Sequence, residues 1–284
     1  MSAKHDAIPV QRGTTIALTL VSAIGVLAFG WPLLVEPGTL LAHNDSAPLV
    51  LATVLISVMV IVLIALSDGG IDVKAIAVLG VLSAIGAVLR PLSAGSLGIE
   101  FVFFFIILGG RVFGPGFGFV LGSTTLFSSA LLTGGVGPWL PFQMLAASWI
   151  GLGAGLLPSP LRGRIEVLVL AGYAAVCGFL YGQAMNLSFW PFTIGANTAL
   201  SFTPGATLGD NLHSFLLFSI VTSLGWDLMR ATVLATGIIV IGRPVLAALR
   251  RAAKRAFFAA SASGPLVPRG AVAEASESNA DGGR

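Results

Sequence analysis

Charged residues make up only 10 % of this 284-residue sequence, where an ordinary soluble domain carries about 25 %. Too few charges remain to solvate a water-facing surface of this size. That excludes a soluble enzyme, a disordered regulator and a nucleic-acid binder. Cysteine is nearly absent: Cys177 stands alone, so no intramolecular disulfide can form and no thiolate metal site is expected. The three histidines, His5, His43 and His213, are scattered, and none pairs with a carboxylate at metal-ligand spacing. The G-x-x-x-x-G-K-[ST] phosphate loop is missing, as is the Gly-x-Ser-x-Gly nucleophile turn, so neither ATP use nor that acyl chemistry is expected of the chain itself. No cofactor is called for.

What the sequence has is apolar length. Hydrophobic residues reach 56 % and the mean hydropathy is +0.96. A helix needs about 20 apolar residues to cross the hydrocarbon core, so gaps between charges count spans. Arg12 to Glu36 gives a first span, 14–35, and Asp45 to Asp68 a second, 48–67. The first run has no clear small-x-small cleavage site and reads as a retained helix. Lys74 to Arg90 brackets a third span and Glu100 to Arg111 a fourth. The uncharged stretch 112–161 is too long for one helix, and Gly134-Gly-Val-Gly-Pro138 divides it into a fifth and a sixth. A seventh runs from Glu166 to about Leu187, and Trp190 to Gly209 reads as a loop. An interfacial or re-entrant piece, a kink near Gly225 and an eighth span, 225–243, complete the expected all-α membrane protein. From Ala259 on, the composition predicts a disordered tail. The expected organisation is thus a terminus over 1–13, two helices over 14–67, a membrane core over 73–255 and a tail over 256–284.

With the N-terminus in the cytoplasm and eight spans, 13 of the 15 Lys and Arg residues fall inside. Arg90 alone lands outside and Arg230 lies within a span. Inverting the chain or removing a span breaks this agreement with the positive-inside rule. The basic excess therefore orients the chain in a bacterial cytoplasmic membrane and touches lipid headgroups; it asks for no nucleic acid.

Ionisable residues inside a span are costly and usually functional. Asp227 and Arg230 are three apart on a helix and can pair. The bland reading is a structural ion pair; the sharper one is a pair lining a polar cavity. At the same level, toward the outer surface, come Arg90, Glu100, Trp139, Gln143, Gln183, Asn186, Trp190 and Trp226. A tryptophan at that depth alone is ordinary belt material. Amides are harder to dismiss, since facing lipid they would go unsatisfied. Together these residues suit a planar or amphipathic metabolite with several hydrogen-bonding groups. The third span also spaces small residues four apart, Gly80 with Ala84 and Ser83 with Ala87, a pattern that lets a helix approach closely, from the same chain or from another subunit.

Over Val73 to Arg255 the sequence resembles the substrate-binding S component of energy-coupling factor (ECF) transporters. The residues that carry the likeness are Ala84-Ile-Gly-Ala-Val-Leu-Arg90, Glu100-Phe-Val-Phe-Phe-Phe-Ile-Ile-Leu-Gly-Gly and Arg111-Val-Phe-Gly-Pro-Gly-Phe-Gly-Phe-Val-Leu-Gly. To these are added Gly137-Pro-Trp-Leu-Pro-Phe-Gln143 and Trp226-Asp-Leu-Met-Arg230. The resemblance implies a six-helix core that binds a vitamin or related micronutrient from outside. A membrane T subunit and two cytoplasmic ATPases would drive its release. It also implies that Pro91–Gly98 caps the substrate and that Gly80, Ala84 and Ala87 form the docking face for the T subunit. Within the family the segments are most similar to the cobalamin group. Two features depart from the pattern: the first two spans are additional to a six-helix core, and one docking position is Gly80 rather than alanine. The competing classes are an intramembrane enzyme of lipid or isoprenoid metabolism and a purely structural membrane subunit.

Overall fold

The computed structural model describes residues 7–8, 10, 12–34, 47–67, 73–93, 99–193 and 198–262, and these contain helices and no strand. The helices are α1 (Arg12–Phe29), α2 (Trp31–Leu34), α3 (Ala47–Ser67), α4 (Val73–Ser93), α5 (Val102–Phe113), α6 (Pro115–Thr133), α7 (Leu140–Leu156), α8 (Gly163–Thr193), α9 (Leu208–Thr222) and α10 (Leu224–Ala262). Five of them, α1, α4, α6, α8 and α10, are long and apolar enough to cross a membrane, while α5 and α7 are shorter apolar helices of 12 and 17 residues.

Local chemistry sets the boundaries. α5 ends at Gly114, whose φ of 99° is open to glycine, and Pro115 opens α6 with its ring already at helical φ. α6 stops at Gly134 in the left-handed conformation, φ 65°, inside the stretch where the sequence predicts a break. α9 is capped by Thr207, whose Oγ1 accepts from the Asp210 amide at 3.2 Å and donates to the Asp210 carboxylate at 2.8 Å.

Four boundaries differ from expectation. The first span, expected unbroken over 14–35, stops at Phe29, and after Gly30 the short α2 follows. α8 runs on to Thr193, so Trp190 is helical and not in a loop. Pro191 stands in its last turn, where the missing N–H removes a single bond. The break before α10 falls at Ser223, two residues ahead of the kink expected near Gly225. α10 itself continues past 243, the expected end of the last span, to Ala262. Its stretch beyond Pro244 is rich in Ala, Leu and Arg, strong helix formers, and it buries Leu246 and Leu249 against the bundle. The helix therefore covers the start of the tail expected to be disordered; residues 263–284, like 1–6, lie outside the described residues.

The tightest packing is between α6 and α7. A Cβ at Gly118 or Gly122 on α6 would strike the backbone of Gly151 or Ala147 on α7, so glycine lets these helices touch main chain to main chain. α4 packs on α6 and α5, α5 also contacts α7 and α10, and α8 pairs with α10. α1 and α3 pair with each other and lean on the opposite side, α3 on α7 and α1 on α8 and α7. Specific side chains fix them there. The Trp149 indole donates to Ser22 Oγ at 3.0 Å, and the Trp31 indole donates to the Ser188 carbonyl at 3.1 Å.

One end of the bundle is tied by a buried ionic knot. Arg111 of α5 donates through Nε to Glu166 at 2.8 Å and through Nη1 and Nη2 to the carbonyls of Leu157 and Leu161. Arg250 of α10 donates to the same Glu166 oxygen at 2.6 Å. Ala7 also reaches this end, its amide donating to the Phe113 carbonyl at 2.9 Å. The candidate site lies toward the other end.

Candidate functional site

Arg230, near the start of α10, organises the site and is 9 % exposed. Its Nε and Nη2 donate to the two carboxylate oxygens of Glu100, at 3.1 and 3.4 Å. Its Nη1 donates to Asp227 at 2.6 Å and to the Gly178 carbonyl at 3.3 Å. The other Asp227 oxygen accepts from the Gln183 amide at 2.8 Å. The guanidinium lies over the Tyr181 ring, 5.6 Å from its centroid, and Phe103 packs on that ring at 4.6 Å. A buried cation thus faces two carboxylates, Asp227 buried with it and Glu100 partly exposed. Such a group persists only when its hydrogen bonds are satisfied.

This cluster needs α8 and α10 to lie close together. Gly178 and Gly182 face α10, and a Cβ on Gly182 would collide with Asp227 and Arg230. Both glycines are one turn apart, so the spacing that lets two helices approach is what seats the arginine.

A second pair lies across α4 and α7, where Arg90 Nη2 donates to Gln143 Oε1 at 2.8 Å. Of the sequence-predicted residues, Glu100, just ahead of α5, joins Gln183 of α8 and Asp227 and Arg230 of α10 in one bonded set, while Arg90 of α4 pairs with Gln143 of α7.

The other expected site residues are placed differently. Trp139 and Trp226 are each 44 % exposed. Trp190 is buried against Phe215 and Phe202, and its indole donates to the Leu200 carbonyl at 2.6 Å. It anchors the 198–207 turn and α9. Asn186 lies one turn beyond Gln183 on α8, its Nδ2 buried and without a hydrogen-bond partner among the described residues. Pro91–Gly98, expected to cap the substrate, falls mostly outside the described residues.

On α4, Gly80 and Ala84 are exposed and border a groove of about 660 Å3 between α4 and α6. A Cβ at Gly80 would meet nothing within 4 Å among the described residues. Ala87 is buried. Ser83 is also turned inward, its hydroxyl 2.8 Å from that of Thr124 on α6, so the two small-residue rows serve different neighbours.

Tyr181 and Phe103 are missed by sequence reasoning because they lie inside apolar runs. The signal available was that Tyr181 is one of only two tyrosines and stands two residues before Gln183.

A family model, ECF transporter, substrate-specific component, matches residues 74–243, from the start of α4 into α10. Neither the curated proteins nor the solved structures provide a significant match. The match covers more than half of the chain and includes every element that brings a charged group to the site. The chain is a multi-pass membrane protein and belongs to the ECF transporter substrate-specific component family.

Proposed function

We propose that this chain captures a vitamin-like micronutrient at the Arg230 end of the bundle and that this end faces the cell exterior. As a substrate-specific component it is a transport subunit, working with a T subunit and ATPases on a small-molecule substrate. The observation that carries the finer reading is the convergence of Glu100, Gln183, Asp227 and Arg230, from three segments of the chain, into one buried hydrogen-bonded set. A purely structural ion pair would need neither the amide nor the second carboxylate. Arg90 with Gln143 extends the polar surface to α4 and α7. A ligand that inserts among these groups would exchange their mutual bonds for its own, so it needs both donors and acceptors on an amphipathic body.

Eight membrane crossings follow in this reading, by α1, α3 to α8 and α10, with both termini in the cytoplasm. Gly80 and Ala84 present the open groove on α4 to the T subunit. The two additional helices lean on α7 and α8 and leave that groove uncovered. Cobalamin is the first substrate to test. Mass spectrometry of the small molecules that accompany the chain purified from its own cells decides the question. A bound vitamin or precursor whose retention falls with Gln143→Ala and with the charge-free triple change Glu100→Gln, Asp227→Asn, Arg230→Met supports the proposal. Retention unchanged in both variants, with the protein folded, refutes this placement of the site.

A further inference from the structure

α7 and α8 meet where the Tyr173 hydroxyl donates to the Ile150 carbonyl at 2.7 Å. Beyond that contact, toward the Trp190 end, a slot of about 420 Å3 lies between them and is closed at one side by Phe215 of α9. Ala146 and Ala184 give it width, Trp149 and Cys177 form part of its walls, and Leu180, 56 % exposed, stands at its rim. Gln183 is the one amide in the lining, and its Nε2 is already engaged with Asp227.

We propose that this slot is a lipid site that takes one acyl chain of a bilayer phospholipid, inserted sideways past Leu180. An apolar void of this size does not stay empty without cost, because the atoms lining it lose their dispersion contacts. Water does not fill it, since each buried water needs two to four polar partners and the lining offers too few. No described side chain plugs it. The slot opens beside an exposed leucine of a membrane-length helix, so the medium at its mouth is hydrocarbon. Its volume falls in the range of small-ligand sites, about 300–1,000 Å3. The wall is also fixed in place: Trp149 is held by its hydrogen bond to Ser22 and by Phe29, 5.4 Å away, both on α1. The additional N-terminal helix therefore braces the slot. Because Gln183 and Tyr181 belong to both the slot and the Arg230 cluster, a chain seated here touches the back of the ionic site.

The test uses the full chain in nanodiscs of phosphatidylcholine, part of it carrying a diazirine midway along one acyl chain. After irradiation, adducts are mapped by peptide mass spectrometry. Residues 16–27 of α1, whose Ile16, Leu20, Val26 and Leu27 are exposed, report ordinary contact with surrounding lipid. The expected result is labelling per residue over 146–150 and 177–187 clearly above that reference, lowered to it by Ala184→Trp. Equal labelling of slot and reference in the unmodified chain overturns the proposal, as does undiminished labelling in a folded Ala184→Trp variant. If that variant does not fold, Ala146→Phe replaces it, and the ratio in the unmodified chain still decides. Cys177, the only cysteine, gives an independent reading: rapid alkylation by a charged maleimide in nanodiscs would mean a water-filled slot and overturn the proposal, while slow alkylation supports it.

Discussion

Arg230 has two carboxylate partners, and this changes how its removal must be read. Arg230→Met leaves Asp227, 2 % exposed, and the more accessible Glu100 without their cation. Stranding one partner of a buried pair costs about 3–5 kcal/mol, so the single variant is expected to express poorly whatever its role. Neutralising Asp227 as well still leaves Glu100 unpaired. The informative protein is the triple change Glu100→Gln, Asp227→Asn, Arg230→Met, which removes every charge of the set together. It is expected to recover near-normal thermal stability in detergent and to bind substrate at least ten-fold more weakly, about 1.4 kcal/mol. Normal affinity in the folded triple variant would leave the cluster a purely structural device. Gln143→Ala is the complementary probe. It takes a neutral acceptor from the Arg90 guanidinium, and a bond to a charged group is worth about 1.5–3 kcal/mol. A thermal melt should show that loss, and titration of the folded variant with the co-purified ligand reads separately whether Gln143 also contacts substrate.

At the scale of helices, the α8–α10 contact makes a prediction with its own control. Gly182 and Gly172 both lie within α8. A methyl group at Gly182 would strike Asp227, whereas among the described residues nothing lies within 4 Å of a Cβ at Gly172. Gly182→Ala should therefore lower thermal stability by an overpacking cost of about 1–3 kcal/mol. Gly172→Ala should be neutral or stabilising by about 0.4–1 kcal/mol. A melt in which both variants move alike would contradict the close approach. The groove on α4 makes a different test. Gly80→Leu with Ala84→Leu places bulk in open space, so ligand binding by the isolated chain should survive. ATP-driven uptake should fall if a partner helix docks there. Loss of both together would mean that the groove packs internally.

The same elements separate what was legible in the sequence from what was not. Charge gaps located the helices because a charge inside hydrocarbon is costly, so gaps mark where a chain can cross. Asp227 with Arg230 was legible because three residues on a helix is a local geometry. The partner Glu100 is 130 residues away, and Arg111 with Glu166 and Arg250 spans separations of 55 and 84. Those charges could be read singly, as topology markers or polar groups at a given depth, and not as bonded sets. Trp190 was misplaced for a related reason. Proline and glycine downstream of it read as a loop, whereas its burial against α9 depends on a fold that composition does not encode.

For the whole molecule, the orientation in the bilayer is the step that joins site to function, and it rests on where the cations collect. The end tied by Glu166 holds Arg111, Arg162 and Arg164, and α10 carries Arg243, Arg250, Arg251, Lys254 and Arg255 toward and past it. The Trp190 end holds Arg90, which is bonded to Gln143. On this asymmetry rests our proposal that the Glu166 end faces the cytoplasm. α8 connects the two ends with 31 residues, about 46 Å at 1.5 Å per residue, enough to cross the hydrocarbon core with turns to spare. Ser159 and Ala199 are exposed and flank it, so a cysteine at each reports the two sides of one helix. With Cys177→Ala as background, a membrane-impermeant maleimide applied to intact cells should label Ala199→Cys and spare Ser159→Cys, and permeabilised cells should show both. Labelling of Ser159→Cys alone would invert the protein and put the Arg230 cluster on the side where no imported substrate arrives. Labelling of both in intact cells would mean that α8 does not separate two compartments. Either result would remove the physical basis for uptake from outside, because a binding site serves import only if it opens to the compartment that holds the substrate.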